Sequence, residues 1–337
     1  MKILAFESSC DETAAAVVED GRRILSDVVL SQIDIHHRYG GVVPEIASRA
    51  HTEAICTVCE RALREADLKP EEVDAVGVTN RPGLIGALLV GVNFAKSLAF
   101  TLQKPLIPVN HIEGHIAALY LAHPELEPPF LALVMSGGHS SLVEVRGYTA
   151  FLLIGSTRDD AAGEAFDKAG RVLGIGYPGG KEMDRLASLG NPDAIAFPPC
   201  AIRDHAFDFT FSGLKTAVIN HTHNKKQCGE AIVPEDLAAS FTKAVCAGIQ
   251  SRLENAFAAF PHRKLVLAGG VAANSHIRKA AAETCRKCGA TIFLPPPSLC
   301  GDNGAMIAAQ AYYNFRAGIT ADESLNAYAT SPFSFHP

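Results

Sequence analysis

His111 and His115 stand four residues apart in the run Asn110-His111-Ile112-Glu113-Gly114-His115, a pairing able to do metal chemistry. On a helix that spacing puts both imidazoles on one face, where they can share one ion. The spacing alone fits two unrelated surface histidines as well, so a third ligand is needed. Asp302, in Cys300-Gly301-Asp302-Asn303-Gly304, supplies it: each segment directly follows the expected closing strand of one of two similar halves of the chain. Two imidazoles and a carboxylate hold a divalent cation and leave positions open for a ligand oxygen or water. The donor set suits iron and zinc, with iron expected first and one ion per chain. The run is superficially like the zinc-protease helix, but there the general-base Glu directly follows the first His. Here Glu113 lies two residues on, about 200° around a helix from His111, which argues against proteolysis. Cys56/Cys59 and Cys285/Cys288 have zinc-binding spacing. Both pairs fall within helical apolar periodicity, where core or surface cysteine is the plainer reading.

Glycine-rich turns form a second constellation. Ser136-Gly137-Gly138-His139-Ser140 is read as a hairpin that can aim backbone N–H groups at a phosphate, with Ser8-Ser9-Cys10-Asp11-Glu12-Thr13 as its counterpart in the first half. Gly269-Gly270-Val271-Ala272-Ala273-Asn274 links a strand to a helix, a place where backbone can approach a nucleoside closely. Pro178-Gly179-Gly180 follows a helix carrying Asp167. Each turn alone is weak evidence; at matching positions of a duplicated chain they favour a nucleotide site. Among nearby carboxylates, Asp159 and Asp160 read first as helix caps. Asp167 and Asp184 are better placed to accept hydrogen bonds from a ribose or an amino acid, against the alternative of a solvated helix face.

The elements that must position these residues follow from apolar periodicity. Strands are expected at Ile3–Ser8, Ala14–Glu19 and Ile24–Gln32, then a helix over Glu45–Ala66, a strand at Ala75–Thr79, a helix over Gly86–Leu102 and a strand at Leu106–Val109. The order recurs: strands at Phe130–Met135, Ser141–Val145 and Phe151–Ile154, helices within Ala161–Leu173 and Glu235–Phe260, a strand at Lys264–Ala268, a helix over Ser275–Cys288 and a strand at Thr291–Leu294. A diverged repeat of this kind predicts an α/β fold of two similar lobes, residues 1–110 and 111–330, each with a largely parallel sheet. Ligands are then expected in a cleft between the lobes, at the carboxyl ends of strands. His111 and His115 would face Asp302 across it. The pattern resembles the actin, sugar kinase and Hsp70-like ATPase (ASKHA) superfamily.

Length, composition and charge set outer limits. The chain has 337 residues, 48% hydrophobic and 20% charged, an ordinary globular composition long enough for two cores. No apolar run is expected to reach the roughly 18 residues of a membrane span, and no signal peptide is visible. A cytoplasmic protein without membrane attachment is expected. Thirty Lys and Arg against 36 Asp and Glu give a net charge of -6, the wrong sign for gripping nucleic acid alone. The nine cysteines read as reduced thiols.

These residues together resemble the TsaD family, once labelled glycoproteases. The carrying motifs are Glu7 to Thr13 (ESSCDET), Gly40 to Arg49 (GGVVPEIASR), Pro82 to Val90 (PGLIGALLV), His111 to His115, Ser136 to His139, Asp159 to Lys168 (DDAAGEAFDK), Tyr177 to Gly180, Phe209 to Thr216 (FTFSGLKT), Gly269 to Asn274 and Asp302 to Ile307 (DNGAMI). The resemblance spans nearly the whole chain. It implies a tRNA N6-adenosine threonylcarbamoyltransferase that moves the group from threonylcarbamoyl-AMP to adenosine 37 of tRNAs reading codons that begin with A, making t6A and releasing AMP. It further implies His111, His115 and Asp302 as metal ligands. Val134, Met135, Ser136, Gly137 and Gly138, with Asp167, Gly180, Asp184 and Asn274, become substrate-adenylate contacts. This sequence departs from the family pattern at Arg81 before Pro82, Lys181 after Gly180, Ser140 for Thr and Gly301 for Thr before Asp302, and Gly301 is expected to loosen Asp302.

The chemistry asks for orientation of a mixed anhydride, neutralisation of phosphate charge and a proton acceptor for the attacking amine. Asp11 or Glu12 is expected in that last role. Basic residues cluster only modestly, at Lys225-Lys226, His262-Arg263-Lys264, Arg278-Lys279 and Arg286-Lys287, so binding of tRNA is expected to need help. By resemblance the helpers are TsaB-like and TsaE-like proteins, with the helices after Glu45 and Gly86 as a plausible partner surface. Two other readings compete: a small-molecule kinase or ATP hydrolase of the same fold, and a non-catalytic nucleotide-dependent scaffold.

Overall fold

A computed structural model describes residues 1–200, 202 and 205–330. In chain order the elements are β1 (Lys2–Glu7), β2 (Glu12–Glu19), β3 (Arg23–Ser31), α1 (Ile33–His37), α2 (Pro44–Glu65), β4 (Ala75–Arg81), α3 (Ile85–Leu102), β5 (Leu106–Asn110), α4 (His111–Ala122), β6 (Phe130–Met135), β7 (Ser140–Gly147), β8 (Ala150–Ser156), α5 (Ala162–Val172), α6 (Gly180–Ala187), α7 (Ser212–Gln227), α8 (Pro234–Ala259), β9 (Lys264–Ala268), α9 (Ser275–Lys287), β10 (Thr291–Phe293) and α10 (Gly304–Arg316). The strands form two sheets, β3-β2-β1-β4-β5 and β10-β9-β6-β7-β8. Read from its other edge the second sheet is β8-β7-β6-β9-β10, so both halves follow the same path and the repeat is real. The expected largely parallel sheets need correction. In the first, β1 pairs antiparallel with β2 and β2 with β3, while β1, β4 and β5 run parallel. Short turns between β1, β2 and β3 force antiparallel pairing, whereas the helical crossovers before β4 and β5 allow parallel pairing.

The chain divides into two compact units at other points than the expected break after residue 110. Among the described residues, one holds Met1–Pro128, Val145–Phe151 and residues 295–330; the other holds Pro129–Glu144 and Leu152–Leu294. Helix α4 and the segment carrying Asp302 and α10 therefore belong with the first sheet. In this unit Leu4 and Phe6 of β1 and Val76 and Val78 of β4 lie in one core with Ile55, Val58 and Ala62 of α2 and Leu88, Val92, Ala95 and Ala99 of α3. The start of α10 lies so close to β2 that a Cβ on Gly304 would fall 2.6 Å from the carbonyl carbon of Ala15. Only glycine permits that approach. Helix α3 departs from the sequence expectation: its 18 residues have a mean hydropathy of 1.6, long and apolar enough to cross a membrane by length and composition. Its inner side joins the core, but Ile85, Leu89 and Phe100 are exposed, Phe100 at 71%.

In the second unit the buried strands Phe130–Met135 and Leu265–Ala268 pair in parallel, Val134 opposite Ala268, so the segments following them are neighbours. Asp159 caps a helix other than the expected one. Its carboxylate accepts from Phe211 N at 2.8 Å, Ser212 N at 3.2 Å and the Thr210 and Ser212 hydroxyls at 2.5 and 2.7 Å, closing the start of α7. Asp160 instead pairs with Lys168.

Candidate metal centre

Strand β5 ends at Asn110, whose side-chain oxygen accepts from Ile112 N at 2.8 Å and caps α4. That cap fixes the first turn, so His111 and His115 lie one turn apart with rings edge to face, centroids 4.6 Å apart. Asp302 is set from the other side by the start of α10. Asn303 accepts from Met306 N at 2.8 Å and donates to Gly301 O at 2.9 Å, while Asp27 on β3 accepts from Gly304 N and Ala305 N at 3.1 and 3.2 Å. Asp302 Oδ1 ends 3.2 Å from His115 Nε2 and 3.6 Å from His111 Nε2.

The three donor atoms lie within 4.8 Å of one another, the only such His/Cys/Asp/Glu group among the described residues. Donors each about 2.1 Å from one ion lie roughly 3.0 to 3.4 Å apart for octahedral or tetrahedral angles; the His115–Asp302 separation falls in that range and the His111–Asp302 separation just beyond it, so a small side-chain adjustment lets the group share a cation. The state of His115 fits too: it is fully buried, and neither ring nitrogen makes a hydrogen bond. A buried imidazole left in that condition is costly; a ligated one is not. One expectation is overturned here. All three ligands come from a single compact unit rather than from two lobes facing each other, because α10 packs on the first sheet. The Cys-x-x-Cys pairs form no such group: Cys56 and Cys59 lie in α2, Cys285 lies in the last turn of α9 with Cys288 just beyond it, and none of the nine cysteines is in a disulfide.

Glu7 and Ser9, named in the sequence only as parts of a motif, flank His111. Its Nδ1 lies 3.0 Å from Glu7 Oε2 and 3.1 Å from Ser9 Oγ. Glu7, wholly buried, also accepts from Ser9 N at 2.5 Å and from the Thr79 hydroxyl at 2.7 Å. Burial opposes ionisation of Glu7, but His111 outweighs it and holds the carboxyl below its ordinary value. Burial likewise opposes charge on His111, yet Asp302 and Glu7 raise it to about 9. A carboxylate ending the otherwise apolar strand Lys-Ile-Leu-Ala-Phe-Glu was the signal available in the sequence.

Asp11 lies in the turn between β1 and β2 and Glu12 opens β2, both in the same unit. The Ser31 hydroxyl donates to Glu12 Oε1 at 3.2 Å. Burial, then the charges of Asp302 and Asp11 and a hydrogen bond with Asp11, push Glu12 up to about 10. Glu12 thus favours its protonated form at neutral pH. Glu113 is buried and outside the ligand group; burial raises it to about 7 despite Arg81.

The second unit brings the remaining candidates together. Val134 and Met135 end buried β6, and the exposed Gly137 and Gly138 form the turn that closes with Ser136 N donating to His139 O at 2.8 Å. The start of α5 docks on this turn, Gly163 N and Glu164 N donating to Ser136 O and Gly137 O at 3.2 Å each. Further along α5, Asp167 accepts from Gly179 N at 2.7 Å, next to Gly180 at the start of α6. Asp184 on α6 accepts from Ser275 N and the Ser275 hydroxyl, at 3.1 and 3.0 Å. Asn274 precedes Ser275 and caps α9 by accepting from Ile277 N at 3.0 Å. Gly269, with φ of 89°, closes the circle: a Cβ there would lie 2.4 Å from Met135 O. Asp167, Asp184 and Asn274 therefore already hold loops, a structural duty their residue types did not reveal.

The sequence model of the TsaD family, described as tRNA N6-adenosine threonylcarbamoyltransferase, matches residues 23–309. A protein of that name from Clostridium beijerinckii is 52% identical over 325 residues, 96% of either chain. Another from Moorella thermoacetica is 52% identical over 332 residues, 98% of this chain and 97% of its own. Among solved structures, T. kodakarensis HypF aligns at 15% identity and a TM-score of 0.63, over 96% of this chain and 49% of that one. The activator of the 2-hydroxyisocaproyl-CoA dehydratase from Clostridium difficile with bound ADPNP aligns at 16% and 0.54, over 94% and 97%. At such identities the likeness is one of fold alone, the duplicated α/β architecture described above.

Proposed function

The chain belongs to the TsaD family of tRNA N6-adenosine threonylcarbamoyltransferases, and from that premise we propose that His111, His115 and Asp302 hold one divalent cation while Asp11 accepts the proton released in transfer. The enzyme is an acyltransferase that forms t6A in tRNA. The observation supporting the metal is the convergence of three donor atoms within 4.8 Å around a buried imidazole with no hydrogen bond of its own. The donor set accepts iron, the first choice in this reading, and zinc alike. Bound there, the cation supplies positive charge to the phosphate oxygens of the donor.

The donor in this reading is threonylcarbamoyl-AMP. The N6 amine attacks the carbamoyl carbonyl, a C–N bond forms, the C–O bond to phosphate breaks, AMP leaves, and the amine proton passes to Asp11. Val134, Met135, Ser136, Gly137 and Gly138, with Asp167, Gly180, Asp184 and Asn274, hold the adenylate. Supporting this is the way backbone bonds gather their loops at the carboxyl ends of β6 and β9. With a net charge of -6, the chain takes tRNA with the help of TsaB-like and TsaE-like proteins in the cytoplasm. The exposed apolar side of α3 suits the first of these.

The test is single-turnover transfer from pre-formed threonylcarbamoyl-AMP to unmodified tRNA, with partners present, together with metal content by mass spectrometry. His111→Ala, His115→Ala and Asp302→Ala are each expected to lose the ion and slow transfer at least about 100-fold. Variants that transfer normally without metal overturn the reading.

A further inference from the structure

We propose that Glu7 is the positioning residue that makes His111 a metal ligand, by keeping a proton on Nδ1 and so reserving the lone pair of Nε2 for the cation. This rests on the metal reading above. An ionised carboxylate only accepts hydrogen bonds. With Glu7 Oε2 at 3.0 Å, Nδ1 must therefore be the donor, and Nε2, the nitrogen facing Asp302 Oδ1, is the one left to bind. Ser9 makes the matter one of competition. Its hydroxyl, 3.1 Å from the same Nδ1, could donate to that nitrogen and impose the opposite tautomer, with the proton on Nε2 and no ligand.

Glu7 prevails because it is pinned. Its Oε1 takes Ser9 N at 2.5 Å and its Oε2 takes the Thr79 hydroxyl at 2.7 Å. Glu7 and Thr79 are both fully buried, at the ends of the parallel neighbours β1 and β4, where Phe6 lies opposite Val78. The register of the sheet thus places the carboxylate, and the carboxylate places the imidazole. His115 has no hydrogen-bond partner on Nδ1, so no acceptor there fixes its tautomer and His111 is the preset member of the pair. Carboxylates behind metal-bound histidines act this way in general, fixing the tautomer and raising ligand basicity.

The experiment uses the full chain, metal-stripped and titrated with Zn²⁺ against a competing chelator, with the histidine rings read by ¹H–¹⁵N NMR in the zinc-loaded state. The wild type is expected to show His111 bound through Nε2 with a hydrogen-bonded proton on Nδ1. Glu7→Gln, which keeps the shape, is expected to weaken zinc binding about 10- to 100-fold and to lose or shift that proton signal. Thr79→Val, which unpins one oxygen, is expected to weaken binding several-fold and move the same signal. Should Glu7→Gln fail to fold, Thr79→Val carries the test. Zinc affinity within twofold of wild type, with an unchanged Nδ1 proton, overturns the role of Glu7 while leaving the metal site standing. A wild-type chain that binds no zinc, or a His111→Ala variant that binds it equally well, overturns both.

Discussion

Glu12 keeps its proton up to about pH 10 because burial and the charges of Asp302 and Asp11 all oppose its ionisation. Its neutral form resembles glutamine, so Glu12→Gln should keep single-turnover transfer within about threefold, whereas Asp11→Asn should slow it about 100-fold, the usual scale of a proton acceptor. The reverse ranking would make Glu12 the base. Asp27 offers a stability test with a definite sign. Burial raises its carboxyl to about 6 despite hydrogen bonds from Ala305 N and Gly304 N, against about 3.9 in an unfolded chain. The folded state therefore holds this proton more tightly. The stability so gained is full below pH 4 and is lost as pH rises through 6, about 3 kcal/mol in all. Asp27→Asn removes that dependence, so in urea melts it should gain on the wild type as pH rises from 4 to 7. Parallel curves would mean that Asp27 does not titrate there. The identity of each of these residues was plain in the sequence; its protonation was not, because burial and charged neighbours come from other elements.

At the scale of elements, helices and strands lie close to where apolar spacing puts them, the helix expected over Glu45–Ala66 running from Pro44 to Glu65. Helices α6, α7 and α10 fall outside the expected elements. The run Gly-Ala-Met-Ile-Ala-Ala-Gln-Ala of α10 is buried throughout, so it shows no one-sided periodicity to read. Helix α3 buries one side in the core, while its outer side mixes the apolar Ile85, Leu89 and Phe100 with Asn93, Lys96 and Ser97. Its outer residues Leu89 and Phe100, 37% and 71% exposed, cost little to change in the isolated chain. Leu89→Asp with Phe100→Asp is expected to leave the melting curve nearly unmoved while weakening binding of a TsaB-like partner at least about 100-fold, as loss of an apolar anchor does. Unaltered affinity in a calorimetric titration would show that the partner docks elsewhere.

For the whole molecule, confinement of all three ligands to one compact unit predicts an uneven response to metal. Ligand binding stabilises only the structure that contains its site. Stripping the ion should therefore raise hydrogen exchange in α4 and at the start of α10, with α7 and α8 of the other unit little changed. Equal loosening of both units would contradict that confinement. The sequence by itself determined the duplicated order of strands and helices, the residue types of a two-histidine, one-aspartate site and the family motifs, because each of these is written in short-range spacing. Only the tertiary structure decided that Asp302 joins its histidines from within the same unit, that Glu7 and Thr79 stand behind His111, and that Asp159 caps α7. Those contacts depend on which distant segments lie side by side, and that is settled by burial of whole elements, β1, β4 and α10 for the metal site, rather than by any local pattern.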